Sequence, residues 1–268
     1  MLYQLYSASF KLSAFVDCYW ESNFSGVQVY EELFVAQLNP HIIINLSDTY
    51  QRNENTICQS SLDTINTSAI KFTHLSRNQL FGIRFKPAGL TMFTHLGMHE
   101  LVDSSLSLRD VFGSDSDWYE TSMLESTTIQ QRIAITERFL WAKIDERNLE
   151  KYRFNAAVQE RIGNYICQPN FMAEVVESLN TTHRTLDRNF KQFLGLSPKK
   201  LHRLIRFQAV FEAVHNTHLK KQVFDFYDFG YYDQAHFGKE FKEFVGMTLQ
   251  EYLNSPHFVQ NLQDNHFS

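Results

Sequence analysis

Only five prolines and ten glycines punctuate the 268 residues of this chain, too few for a collagen-like, linker-like or disordered polypeptide. Cysteine is scarcer still. Cys18, Cys58 and Cys167 are an odd number without a Cys-x-x-Cys spacing, which argues against a disulfide framework and fits a reducing compartment. A redox switch would need a thiol with visible acidifying neighbours, and the sequence offers none. No stretch approaches the roughly 18 uninterrupted apolar residues of a membrane helix. The opening MLYQLYSASFKL has no basic cluster followed by an apolar run, so no secretory leader is expected. These absences point to a soluble, cytoplasmic protein without a membrane partner. What the chain does have is apolar matter, at 43% of residues and including 24 Phe, enough to build cores for two domains of ordinary size.

Charge is uninformative as a total, −5 at neutral pH, and informative when divided. Residues 1–150 hold 11 Lys and Arg against 18 Asp and Glu, whereas residues 151–253 hold 14 against 11. Binding to phosphate depends on the local face rather than the chain average. The basic second half is therefore the candidate for a polyanion.

Residues 1 to about 110 read mostly as strands. EELFVAQLNPHIIINLSD gives two apolar segments, Leu33 to Gln37 and Ile42 to Leu46, broken at Asn39-Pro40, and LFGIRFKP alternates towards Pro87, a pattern of short strands and hairpins in a sandwich or barrel. Past Pro87, the spacing of Leu90, Phe93, Leu96 and Met98 predicts a short helix. From Trp118 to Ile144 the period turns helical, with Leu124, Ile129, Ile133, Phe139, Leu140 and Ile144 near one face, as for a bridge between domains or a dimer interface. Beyond Asn155 nearly everything is helical in period.

An internal repeat organises that helical half. FKQFLGLS at 190–197 recurs as FKEFVGMT at 241–248, and the turn residues Asn180 and Gly230 hold corresponding places. Each copy reads as a short helix, a turn on a residue that tolerates left-handed geometry, and a longer second helix, which is a helix-turn-helix twice over. In the second helices Leu186, Phe190, Phe193 and Phe237, Phe241, Phe244 fall at i, i+4, i+7 and face the core. The opposite faces carry Thr182, His183, Arg184, Asp187, Arg188 and Lys191 in one copy, and Gln234, Ala235, His236, Gly238, Lys239 and Lys242 in the other. Arg and Lys reach guanine or phosphate, Gln pairs with adenine, and Ala or Gly lets the helix approach a thymine methyl. SPKKLHRLIRFQAVFEAV, from Ser197, suits one long helix of about 15 residues joining the copies, roughly 22 Å, with Lys199, Lys200, Arg203 and Arg206 as candidates for phosphate neutralisation.

TTHRTLDRNFKQFLGLSPKKLHRLIRF and GYYDQAHFGKEFKEFVGMTLQEYL resemble the two recognition units of the AraC family of transcription regulators. The resemblance covers about 100 residues of the chain, and it implies base-facing positions at Arg184, Asp187, Arg188 and at Gln234, Ala235, His236, Lys239. VDCYW, NPHIIINLSD and GIRFKPAG more loosely resemble the sandwich domain attached to some of these regulators. Departures are Phe226, where the family keeps a small alanine, Val176 in the corresponding place of the first unit, Leu249 in place of a proline, and Gly238 inside a recognition helix.

The expected architecture is α+β: a β-rich sensor domain over 1–115, a helical linker or dimerisation segment over 116–150, a double helix-turn-helix domain over 151–254, and a tail over 255–268. The expected function is sequence-specific reading of two successive major grooves of double-stranded DNA, with no catalysis, no catalytic residue and no cofactor. RNA polymerase, a small-molecule effector at the N-terminal domain and a second copy of the chain are the other candidate partners. The competing reading makes the N-terminal domain a metal-binding or enzymatic barrel with the helical half as a regulatory appendage. It rests on His95 and His99 beside Glu100, a pair without the His-Glu-x-x-His order or a second ligand cluster, so no metal site is assigned.

Overall fold

The computed structural model describes residues 2–25, 29–57, 59–75, 77–164, 167, 171–220 and 224–258. Cys58, the Gln168-Pro169-Asn170 break and residues 259–268 of the tail lie outside them.

Among the described residues, the N-terminal region folds into ten strands: β1 (Leu2–Ser7), β2 (Val16–Phe24), β3 (Tyr30–Phe34), β4 (His41–Asn45), β5 (Tyr50–Arg52), β6 (Asn55–Ile57), β7 (Ser61–Asp63), β8 (Ile70–His74), β9 (Asn78–Phe85) and β10 (Ser105–Ser107). They form two antiparallel sheets, one ordered β1-β2-β9-β4-β7-β10 and the other β3-β8-β5-β6. The sequence HIIIN shows why the first sheet sits in the middle of the domain. All five β4 residues are buried: Ile43 joins Trp20, Tyr50, Ile70, Phe72 and Leu80 between the sheets, while Ile42 and Ile44 point the other way, into a core shared with the helices. A strand covered on both faces reads as a continuous apolar run rather than an alternating one. Gly82 stands opposite Trp20 in register, and a Cβ there would overlap the indole. The missing side chain is what lets Trp20 lie flat over β9.

Two stretches differ from their sequence pattern. After Pro87 there is no single helix but two 3-10 turns, Gly89–Met92 and Met98–Glu100. Ala88 before the first turn already sits at φ 60°. The Trp118 to Ile144 stretch is two helices. After α1 (Leu108–Phe112), α2 runs over Asp115–Glu125 and α3 over Ile129–Lys143, and Thr128 with Gln131 caps the start of α3 in a reciprocal box. Leu124, expected on the shared apolar face, is exposed because the break at 126–128 rotates it away. This hairpin lies on β2: Arg132 pairs with Glu21, and Glu137 accepts from Tyr19 Oη at 3.3 Å and from the Ser9 amide at 2.9 Å.

The helical half comprises α4 (Leu149–Asn164), α5 (Phe171–Ser178), α6 (His183–Leu194), α7 (Pro198–Lys220), α8 (Gln234–Val245) and α9 (Leu249–Leu253). Its apolar side chains are continuous with the β-domain core. Tyr152 of α4 donates to the Ala14 carbonyl, with its ring edge-on to Phe15 at 4.9 Å. The Ala36 amide, just past β3, donates to the Phe244 carbonyl at 3.1 Å, near the end of α8. Gly195, which closes α6, packs against the Met98 carbonyl and Val102. A cavity of about 380 Å³ lies along this seam, with Asp17 and Arg84 on the sheet side and Phe207, Gln208, Phe211 and Glu212 of α7 on the other.

Candidate nucleic-acid interface

α6 and α8 begin and end by the same devices. Thr182 accepts from the Thr185 amide at 3.2 Å and Asp233 from the His236 amide at 2.7 Å, each satisfying a donor at the helix start. Gly195 at φ 71° and Gly246 at φ 83° terminate the helices in left-handed geometry. The turns before them are set by Asn180 at φ 45° and Gly230 at φ 74°. Leu186, Phe190, Phe193, Phe237, Phe241 and Phe244 are all buried, as their spacing requires.

The two units differ in what precedes the turn. In the first, α5 packs on α6. In the second, the element before Gly230 is a single 3-10 turn, Phe226–Phe229, in place of the expected short helix. Phe226, the first residue of that turn, is the bulky ring that stands where the resemblance implies a small alanine. It lies parallel on Phe237, centroids 5.4 Å apart. A Cβ at Gly238 would meet nothing within 4 Å, so no close approach within the protein requires glycine there.

The outward faces hold the sequence-derived set. Thr182, His183, Arg184, Arg188 and Lys191 on α6, and Gln234, Ala235, His236, Lys239 and Lys242 on α8, are exposed, and Asp187 is half-buried. Thr182 spends its hydroxyl oxygen on the cap. Asp187 pairs with Lys191 at 2.9 Å, so it orients that lysine rather than either arginine. Among the described residues, Arg184 and Arg188 enter no ion pair. Tyr232, immediately before the α8 cap, is 87% exposed and stands beyond the set expected from the sequence, while its neighbour Tyr231 is buried. The signal was present in the Tyr-Tyr dipeptide ahead of an N-cap, where one ring must pack and the next must turn outward.

Three basic residues expected to neutralise phosphate do otherwise. Glu240 of α8, 2% exposed, accepts from Arg203 Nε at 2.8 Å, from Arg206 Nη2 at 2.8 Å and from Tyr231 Oη at 2.7 Å. Glu243 takes Lys200 Nζ at 2.8 Å and Arg203 Nη2 at 2.5 Å. Burial pushes the Glu240 carboxyl upward, but the hydrogen bonds from Arg203, Tyr231 and Arg206 outweigh it and hold the carboxyl below its ordinary range. Arg203 chiefly holds Glu243 down to about 2, with Lys200 adding to it. Arg206 also stacks over the Tyr231 ring at 4.3 Å. The charges of Lys200, Arg203 and Arg206 are thus turned towards α8, leaving Lys199 as the exposed cation of that group.

Residues 175–255 match a family described as a helix-turn-helix domain. The C-terminal region is an AraC-type double helix-turn-helix domain. A chain carrying this AraC-type domain is a DNA-binding transcription regulator. Residues 4–107 match a domain family of unknown function, DUF6597. No curated protein is significantly similar to the chain. Among solved structures, ToxT from Vibrio cholerae aligns with 87% of this chain and 96% of its own at 14% identity, TM-score 0.47. ToxT bound to (E)-4-(8-methylnaphthalen-1-yl)but-3-enoic acid aligns with 94% of this chain and 98% of its own at 11% identity, TM-score 0.46. ToxT with a bound unsaturated fatty acid aligns with 87% and 96% at 13% identity, TM-score 0.44.

The alternative reading of the N-terminal domain gains no support from geometry. His95 sits 3.5 Å from Asp145 and His99 3.7 Å from Glu100, both on the surface, and no group of three or more metal-ligating side chains gathers among the described residues. Among those residues, no helix is long and apolar enough to cross a membrane.

Proposed function

We propose that α6 and α8 enter two successive major grooves of double-stranded DNA, and that the β-rich domain regulates that reading in response to a ligand or partner. The observation that carries the first part is the pairing, in both helices, of a fully buried Phe face with an opposite exposed face of hydrogen-bond donors. α7, at 23 residues, is about 34 Å long, comparable to the roughly 34 Å between grooves on one side of the duplex. Arg184 and Arg188, free of ion pairs, take guanine edges, Gln234 takes adenine, and Ala235 admits a thymine methyl. Lys191, Lys239 and Lys242 supply phosphate contacts, His183 and His236 stand at the two helix entrances, and Thr182 and Asp187 position the first helix and Lys191.

The seam supports the regulatory part. The N-terminal domain touches the C-terminal ends of both reading helices, through Met98 at Gly195 and through Ala36 at Phe244. A change in its packing therefore biases their relative placement, which is how a ligand preferring one arrangement would shift DNA affinity.

Fluorescence anisotropy tests the reading, with DNA from upstream of the chain's own gene compared with a scrambled duplex across a salt series. Preference for the native fragment that survives near-physiological salt and disappears in Arg188→Ala is expected. Absence of binding to any duplex at low salt would refute the assignment of the interface.

A further inference from the structure

Ser22 of β2 and Glu32 of β3 enter the space between the two sheets, 2% and 5% exposed. Glu32 is pinned from one side: its Oε2 lies 2.8 Å from His74 Nε2, and His74 Nδ1 lies 3.0 Å from Asn78 Oδ1. Glu32 Oε1 and Ser22 Oγ, by contrast, have no hydrogen-bond partner and no contact with solvent. Buried polar atoms are almost always satisfied, and a carboxylate oxygen without a donor is among the least tolerable exceptions. Both side chains line one cleft, together with Tyr3, Trp20, Phe34 and Phe72. The rings are ordered against each other, Tyr3 stacked on Trp20 at 5.8 Å and Phe34 edge-on to Phe72 at 5.0 Å. The half-buried Tyr3 and Phe34 border the solvent side.

The chemistry of the lining selects its occupant. A carboxylate oxygen only accepts hydrogen bonds, and a hydroxyl accepts as well as donates. Aromatic faces attract cations. An anion is excluded by Glu32. A quaternary ammonium brings no N–H donor, and the free space, about 10 Å³, holds a single water-sized group. A primary ammonium meets every condition: positive charge, three donors, and a head no larger than water.

We propose that this cleft binds the ammonium group of a small primary amine, which donates to Glu32 Oε1 and Ser22 Oγ while its alkyl tail leaves between Tyr3 and Phe34. The proposal names the effector class for the regulatory reading above and rests on it.

Propylammonium is the probe, with 1-propanol and tetramethylammonium as controls, on the full chain carrying Trp118→Phe and Trp141→Phe. Those two tryptophans are 43% and 41% exposed whereas Trp20 is 3% exposed, so the double substitution leaves the cleft indole as the sole tryptophan, read by selective indole excitation. Saturable quenching of Trp20 by propylammonium is expected, at least about tenfold tighter than by 1-propanol and about tenfold weaker in Glu32→Gln, as for loss of a charge-assisted hydrogen bond. Ser22→Ala, a smaller change, weakens binding without disturbing the sandwich and serves if Glu32→Gln unfolds. No saturable response, equal response to 1-propanol, or undiminished binding in a folded Glu32→Gln or Ser22→Ala variant would overturn the site. A crystal structure grown with the amine that shows only water between Glu32 and Ser22 would do the same. Anisotropy of the amine-loaded protein with DNA reads the coupling separately: bound amine with unchanged DNA affinity keeps the site and removes the regulatory reading.

Discussion

α6 and α8 share a Phe-Lys-x-Phe stretch and the spacing of their buried faces, yet different forces hold them in place. α8 is bound to the linker helix by charge: Glu240 and Glu243 gather Lys200, Arg203 and Arg206. The corresponding positions of α6 are Asn189 and Gln192, which carry no charge, and α6 instead leans on the N-terminal domain at Gly195. One repeat has thus been fixed to its own scaffold, while the other has been left to apolar packing and a neighbouring domain. A shift of the N-terminal domain reaches α6 through packed atoms and α8 chiefly through the amide of Ala36.

Removing the charge lock should break this difference most sharply. Glu240→Ala leaves Arg206 buried without its acceptor and Arg203 with Glu243 alone, and a loss of about 3–5 kcal/mol is expected in urea unfolding. Asn189→Ala, its counterpart in α6, should cost less than about 1 kcal/mol. In hydroxyl-radical footprints, Glu240→Gln should lose the half-site read by α8 before that read by α6.

Glycine substitutions at the two helix ends should also separate the units. Gly246→Ala meets only the Ala69 Cβ at 3.9 Å and carries the left-handed backbone penalty of about 1–2 kcal/mol. Gly195→Ala adds a clash with the Met98 backbone and is expected to cost about 3 kcal/mol in all, measured by thermal melting. On DNA, Arg188→Ala should lose about 1–3 kcal/mol on the cognate duplex and relax preference at one base pair. Lys239→Ala, if it reads phosphate, should weaken all sequences alike.

The smallest effect expected is on pH dependence. The Glu243 carboxyl lies at about 2 in the fold against 4.5 in the free residue. Its contribution is therefore complete above pH 4.5 and drains away as pH falls from there towards 2. Because the side chain is 38% exposed, solvent screening limits that contribution to about 1 kcal/mol or less. Acid unfolding of Glu243→Gln should show a correspondingly flatter slope in that window.

Much of this could be read before any coordinates, because it is written locally. The Leu-Phe-Phe spacing, Asn180, Gly230 and the two terminal glycines each act within a few residues of themselves, and the outward faces follow once the inward ones are known. The charge lock could not be read that way. Arg206 and Glu240 are 34 residues apart, and whether an arginine meets phosphate or a carboxylate depends on how α8 crosses α7. The α2–α3 break is an intermediate case. Thr128 and Gln131 spell a capping box, a local signal hidden by an apolar periodicity that continues across it. Ser22 and Glu32 are uninformative as letters, and only the approach of two sheets makes them neighbours.

The bond from the Ala36 amide to the Phe244 carbonyl bears on how freely such proteins can be recombined. A DNA-reading half joined to its sensor only by a flexible tether could be transplanted onto any other sensor. Here the segment after β3 and the turn near Met98 are cut to fit the ends of α8 and α6. Chimeras joined in the α3–α4 connection should fold and couple only when residues 35–37 and 98–102 travel with the helical half they touch.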